Sequence, residues 1–222
     1  MTMTMREAMR RRHTVRKYTD EGLSAEEARL LEERIGANNR ELGTSIALVR
    51  NAPKAVSGIV RLALARNARD YFLLAGDDAP DLGERLGHAS ADLMLYAQTL
   101  GLNTWWIGGT FNRKDASAHA GGQKAIGIVT VGHGATQGSP HKSKTAAEVS
   151  EYRGGAEPEW FSRGVEAALL APTALNKQAF HLVGEGDRVT ISYAPGAFAG
   201  ADTGLVKYHF ELGAGRENFS WA

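Results

Sequence analysis

Five short segments carry side chains that could do chemistry. Arg10-Arg11-Arg12-His13-Thr14-Val15-Arg16 is the dense basic cluster of the chain. Arg12 and Arg16 are four apart, a spacing that converges two guanidinium groups on one anion if the segment is helical, and the Thr14 hydroxyl can add a donor. An isolated charge run is usually a solvated basic terminus, but here Val15 and Tyr18 interleave with the charges. His141-Lys142-Ser143-Lys144 is a shorter basic pair which, taken alone, reads as surface. Leu102-Asn103-Thr104-Trp105-Trp106-Ile107-Gly108-Gly109 sets two glycines after an aromatic strand. That pattern lets the backbone approach something flat, or it makes an ordinary tight turn. Ala171-Pro172-Thr173-Ala174-Leu175-Asn176-Lys177-Gln178-Ala179-Phe180 crowds hydroxyl and amide groups between a helix end and a strand. Such groups suit the polar edge of a heteroaromatic ring, and a polar connection would have the same composition. Gly132-His133-Gly134 with Gly138 also follows a strand, yet Ser139-Pro140 comes next instead of a helix N-terminus, so a dinucleotide fingerprint is not met.

These segments need elements to hold them. Met5–Arg12 can form a short basic helix, and Ser24 with Glu27 is a capping box opening a helix to about Ile35. Ser45–Arg50 and Tyr71–Ala75 read as strands, with an apolar, partly β-branched stretch in Ala55–Ala65. His88–Gly101 has helical apolar spacing and a glycine where a C-cap belongs. Thr104–Ile107 and Ala125–Val131 are strands, and Gly132–Lys144 is polar loop. Glu157–Ala171 is a helix with Pro158 in its first turn, Ala179–Val183 and Arg188–Tyr193 pair across Gly184–Asp187, and Thr203–Leu212 is a helix ending at Gly213.

Composition narrows the possibilities. The 222 residues include 26 Lys+Arg against 25 Asp+Glu, a net charge of +1, which argues against a dedicated nucleic-acid binder. A hydrophobic content of 43% with 23% charged residues is that of a globular chain, not a disordered one. The absence of cysteine removes disulfides, thiolate nucleophiles, thiolate metal sites and iron–sulfur clusters, and the seven histidines are too scattered to suggest a metal. No apolar stretch approaches the ~18 residues of a membrane span, and Met1–Met9 has no apolar signal region, so the expectation is a cytoplasmic protein. At ~150 residues per domain the length corresponds to roughly one and a half domains.

Sliding the chain on itself gives that fraction a meaning. An offset of 134 residues aligns Tyr18 with Tyr152, Ala37 with Ala171 and Ile46–Val49 with Phe180–Val183. An offset of 112 aligns Tyr96, Leu100 and Gly101 with Tyr208, Leu212 and Gly213. Both halves then read helix, strand, strand, helix, the second having lost 134 − 112 = 22 residues.

Together the segments resemble the flavin-dependent nitroreductase family. The matches are Arg11 to Arg16 for its Arg-Arg-Ser-x-Arg opening, Leu100 to Gly109 for Leu-Gly-Leu-x-Thr-x-Trp-Ile-Gly-Gly, Lys142-Ser143-Lys144 for its basic pair, and Ala171 to Phe180 for Ala-Pro-Ser-x-x-Asn-x-Gln-Pro-Trp. The resemblance implies an α+β fold, nitroreductase-like, with mixed but mainly antiparallel sheets flanked by helices. It also implies tightly bound FMN, reduced by NAD(P)H and reoxidised by a nitroaromatic, quinone or similar small-molecule acceptor. Arg11, Arg12, His13, Thr14 and Arg16, with Lys142 and Lys144, would hold the FMN phosphate. Ile107, Gly108 and Gly109 would face flavin N5, and Pro172, Thr173, Asn176 and Gln178 would lie along the ring and its polar edge. Asn51 and Lys54 keep an Asn-x-x-Lys spacing that can join such a site.

The order of motifs departs from the family, in which the Pro-Ser-x-x-Asn segment precedes Trp-Ile-Gly-Gly and the basic pair closes the chain. Here Ala171–Gln178 comes last, and its counterpart in the first half, Ala37-Asn38-Asn39-Arg40-Glu41-Leu42-Gly43, has lost the motif. The expectation is therefore a fused, degenerate pair, residues 1–144 forming a nitroreductase-like first half and 145–222 a shortened second half packed with it. Such a pseudo-dimer would hold one flavin per chain and act as a monomer or weak homodimer, without nucleic-acid or membrane partners. The alternatives are a protein that binds or sequesters flavin without turnover, and a non-catalytic anion-binding protein.

Overall fold

Two helix starts are written locally in the sequence. In this computed structural model, which describes residues 3–222, Thr4 and Ser24 each accept from the backbone N–H of the glutamate three residues on, and each glutamate bonds back to the cap N–H. These capping boxes open α1 (Met5–Arg11) and α2 (Ala25–Leu42). α2 runs past Ile35 because Asn39 organises the turn beyond it, donating to the Ile46 carbonyl and accepting from Thr44 Oγ1 and the Ile46 N–H, with Gly43 closing the helix at φ 59°. β1 (Ala47–Val49) follows, and the apolar stretch after it forms a short helix, α3 (Gly58–Ala63), not a strand. Then come β2 (Tyr71–Gly76), α4 (Leu82–Thr99), β3 (Asn103–Ile107), α5 (Arg113–His119) and β4 (Lys124–Gly132). α4 begins six residues before His88, since Leu82 and Leu86 continue its buried face.

The order β1-β2-β4-β3 makes a wholly antiparallel sheet in which Trp105 stands opposite Thr130. After residues 133–144 the chain makes α6 (Ala146–Val149), β5 (Ser150–Arg153), α7 (Glu159–Ala168), β6 (Phe180–Glu185), β7 (Arg188–Tyr193), α8 (Ala199–Ala214) and β8 (Ser220–Trp221). Of these, α6 and β5, like α5 earlier, are too short and polar to stand out in the pattern. The second sheet has the order β5-β6-β7-β8, with β6 and β7 antiparallel across the Gly186-Asp187 turn and both edge strands parallel to their neighbours. The architecture is α+β, with mixed, mainly antiparallel sheets.

α4 and α8 form the central seam. Leu86, Leu93, Met94, Leu205, Val206 and Phe210 are buried along it within one continuous core. The helices touch backbone to backbone: a Cβ on Gly204 would lie 2.0 Å from the Glu84 carbonyl oxygen, and one on Gly87 would lie 2.0 Å from that of Ala201. Gly213 does not end α8. It lies inside the helix against α7, where a Cβ would meet that of Ala167 at 2.4 Å, and the helix is closed by Gly215 at φ 86°. Gly101, aligned with it by the 112-residue offset, instead sits just beyond α4 at φ 81°. The two glycines match in sequence and differ in role. No described helix is long and apolar enough to cross a membrane.

Candidate functional site

The N-terminal charges are positioned by the apolar residues between them. α1 stops at Arg11, Arg12 turns extended, and Thr14 bridges in parallel to Thr104 of β3, with the Val15 N–H donating to the Thr104 carbonyl at 3.1 Å. Val15 and Tyr18 are buried, and the Tyr18 hydroxyl bonds to Thr130 Oγ1 at 2.7 Å. With these two residues pointing inward, Arg16 is exposed, its guanidinium 5.3 Å from the Trp105 ring centroid. Arg11 is also exposed and His13 is half-buried.

Arg12 is different. It is only 5% exposed, and its Nε is buried without a hydrogen-bond partner. Among the described residues no carboxylate pairs with it, and burial alone pulls its pKa down to about 10. An uncompensated cation inside a protein is costly, so its presence marks a place where a negative charge belongs. Thr104 Oγ1, at the strand position that Thr14 bridges, is likewise buried and unpartnered.

The loop of residues 133–144 runs back along this segment. Thr19 donates to the His133 carbonyl, Ala135 donates to that of Lys17, and a Cβ on Gly138 would lie 2.8 Å from that of His13. The loop then docks on residues 172–178. His141 Nε2 donates to the Leu169 carbonyl at 3.0 Å, and the Asn176 side chain donates to the Lys142 carbonyl at 2.6 Å. Gln178 accepts from the Lys144 N–H at 2.7 Å, donates to the Leu169 carbonyl at 2.8 Å, and receives Lys144 Nζ on its own carbonyl at 2.8 Å. Its buried amide is thus occupied within the protein and clamps one loop to the other.

Residues 172–178 are held in an unusual conformation. Leu175, Asn176 and Gln178 have φ of 53°, 53° and 45°, left-handed values that side chains rarely adopt. Thr173 Oγ1 accepts from the Gln178 N–H, and the buried Asp202 carboxylate accepts from the Ala174 N–H at 3.0 and 3.1 Å and from the Tyr193 hydroxyl at 2.7 Å. Burial pushes the Asp202 carboxyl above its ordinary range against these bonds. Leu175 is left 89% exposed at the tip.

The turn after β3 sits at the other end of the first turn of α8. Phe198 lies on it, so a Cβ at Gly108 would be 2.4 Å from the Phe198 ring and 2.5 Å from that of Trp106, while Gly109 is exposed. Beside it a cavity of about 290 Å³ is lined by Trp106, Phe198 and Ile126, with Arg113 and Lys124 also on its wall. Ser57 donates to the Thr110 carbonyl and Asn112 to that of Ala55, which places the exposed Asn51 and Lys54 in the segment leading to the strip just past Gly109.

Two groups of residues result. His13 and Thr14, next to Arg12, meet the loop carrying Lys142 and Lys144, which in turn meets Asn176 and Gln178 of the segment that begins at Pro172 and Thr173. Ile107 ends the same β3 that Thr14 bridges and Gly108 and Gly109 follow it in the turn, and the start of α8 joins the groups, its cap residue Phe198 touching one and Asp202 the other. Sequence reasoning missed Phe198 and Asp202. Asp202 falls in the first turn of a helix, a signal that was available; Phe198 has no local signature. The larger of the two cavities, about 410 Å³, lies elsewhere, among α2, α4 and α8, and contains the ion pairs of Arg34 with Asp92 and of Arg216 with Glu211.

A family model described as "Putative TM nitroreductase" matches residues 4–214. A crystal structure of a putative nitroreductase from Thermotoga maritima has a TM-score of 0.66 at 18% identity, covering 96% of this chain and 84% of that one. A nitroreductase family protein from Streptococcus pneumoniae gives 0.54 at 16%, covering 68% and 100%. A putative nitroreductase from Desulfovibrio desulfuricans, in complex with FMN, gives 0.50 at 22%, covering 67% and 96%. At these identities the solved structures show a common fold. No curated protein gives a significant match.

Proposed function

The chain belongs to the nitroreductase family described as "Putative TM nitroreductase", and on that footing we propose that it is an FMN-dependent oxidoreductase. Bound FMN would supply the redox chemistry, passing electrons from NAD(P)H to a nitroaromatic, quinone or similar small acceptor. What supports the reading most directly is Arg12, a buried guanidinium without a counter-charge, on the segment whose next residue, His13, lies against Gly138 of the loop bearing two lysines. A phosphate monoester is the complement of that arrangement.

The residues divide the work by their chemistry. Arg12 anchors the phosphate from inside, and Arg11, His13, Thr14, Arg16 and Lys142 surround it with exposed or half-exposed donors. Lys144 gives one donor to the Gln178 carbonyl and keeps two for the anion. Gln178 acts as the clamp that keeps the lysine loop on residues 172–178. Pro172, Thr173 and Asn176 offer a rigid wall to the ring, and the glycines after Ile107 let backbone N–H groups come close to its reactive edge. Asn51 and Lys54 are the outermost contributors.

We further infer that the site lies between two halves of one chain. The first half contributes Arg12, Thr14 and the Gly108-Gly109 turn, and the second contributes residues 172–178 and the first turn of α8. The connection from β1 to β2 spans residues 50–70, while that from β6 to β7 is the two-residue turn 186–187, which locates most of the shortening of the second half. A monomer or weak homodimer then suffices for a complete site.

The experiment is the visible spectrum of the purified protein after incubation with FMN, followed by oxidation of NADH and NADPH with a quinone acceptor. Retained flavin colour with turnover is expected. Retained colour without turnover would reduce the protein to a flavin binder, and a chain that takes up no FMN would overturn the assignment.

A further inference from the structure

Of the polar side-chain atoms buried without partners among the described residues, two are complementary, and each is what the other lacks. One is the Nε–H of Arg12, a donor. The other is Nε2 of His209, a residue of α8 with no exposed surface. His209 Nδ1 lies 2.8 Å from the Leu205 carbonyl, so Nδ1 carries the proton and Nε2 presents a bare lone pair. α1 packs on both α4 and α8, and Arg12 is the residue that caps α1. Burial first, then the charge of Arg12 with those of His88 and His141, holds the His209 pKa down to about 3, so the imidazole is neutral at physiological pH.

We propose that His209 is a positioning residue for Arg12: its Nε2 accepts from one buried water that in turn accepts the Arg12 Nε–H, and this bridge aims the two terminal amino groups of the guanidinium at the phosphate of the cofactor. The inference rests on the FMN reading above. The choice of a neutral acceptor follows from the chemistry. A carboxylate at the same place would fix the guanidinium equally well but would neutralise it and compete with the phosphate. An imidazole kept neutral fixes the geometry and leaves the whole positive charge for the ligand. The planar fork of arginine gains most from this, because one fixed N–H sets the direction of the remaining donors.

The test compares dissociation constants for FMN and for riboflavin, which lacks the phosphate, in the full chain and three variants. His209→Leu removes the acceptor and is expected to weaken FMN about tenfold while leaving riboflavin unchanged. His209→Gln, whose amide oxygen reaches about as far as Nε2, is expected to restore most of the FMN preference. His209→Asn can still bond to the Leu205 carbonyl but is too short to reach the bridging water, and is expected to behave like leucine; it serves also if His209→Leu does not fold. The proposal is overturned if the acceptor-less variants keep the wild-type FMN-to-riboflavin ratio, or lose both ligands equally, which would make His209 merely structural. A wild-type chain that binds neither flavin would instead bring down the cofactor reading, and this inference with it.

Discussion

Arg12, proposed as the phosphate anchor, works against the stability of its own fold. Its side chain is buried, with no counter-charge among the described residues to offset the lost hydration. Methionine fills a similar volume without the charge, so Arg12→Met is expected to stabilise the ligand-free protein by about 1–3 kcal/mol and raise its Tm by a few degrees. The same substitution should weaken FMN binding at least about tenfold. Thermal melts without ligand, set beside FMN titrations, check both halves, and a ligand-free Tm that falls would show that Arg12 is compensated after all. Asp202 is the opposite case, a buried carboxylate whose ligands are all supplied by the protein: two contacts to the Ala174 N–H and one from Tyr193. It stabilises the left-handed turn at 175–178 and asks nothing of a cofactor.

At the scale of elements, three helices are tied together on the face away from the site. Asp92 of α4 accepts from Arg34 and Asn38 of α2 and from Tyr208 of α8. Burial opposes ionisation of this carboxyl, but the bonds from Arg34, Asn38 and Tyr208 prevail and hold its pKa below the ordinary 3.8. A carboxylate whose folded pKa is lowered contributes fully above its unfolded pKa, and that contribution is lost as pH falls through the folded value. Asp92→Asn is therefore expected to cost roughly 2 kcal/mol at pH 7, with the deficit constant down to about pH 5 and shrinking below about pH 4. Urea unfolding of both proteins across that range measures it, and a deficit still undiminished at the acid end would show that packing, not charge, is what Asp92 supplies. The α4–α8 seam beside it depends on Gly87 and Gly204, whose missing side chains let the two backbones touch.

For the whole molecule, the proposal of one site between two unlike halves fixes a stoichiometry. The first-half stretch of residues 37–43 that would answer to 171–177 is not a polar loop. It is the last turns of α2, capped by Gly43. The cavity alongside contains the Arg34–Asp92 and Arg216–Glu211 ion pairs and holds no buried guanidinium awaiting an anion. One FMN per chain is expected, measured as bound flavin against protein, with light scattering giving the mass. Two FMN per chain would show that the second half has kept a site of its own.

Much of this was legible in the residues alone. The capping boxes at Thr4 and Ser24, the buried strand Ala125–Val131 and the hairpin after Ala179 all depend on neighbours a few positions apart, so local chemistry was enough to set them. The segments around Leu100–Gly109 and Ala171–Phe180 sufficed to indicate the family. Helix ends were less legible where packing decides them: Gly213 looks like a cap and is a close-packing glycine, because the partner that needs the space is an α7 residue 46 positions away, 213 − 167. Likewise the interleaved Val15 and Tyr18 hinted that the basic run was anchored, but nothing in the sequence singled out which arginine would be buried. That choice was made by the turn of chain after α1, which exposes Arg16 over Trp105 and sends Arg12 inward. Spacing along the chain determined which charges could meet. Only the packing of distant elements decided which one would be left without a partner, because a charge lacks compensation only with respect to everything folded around it.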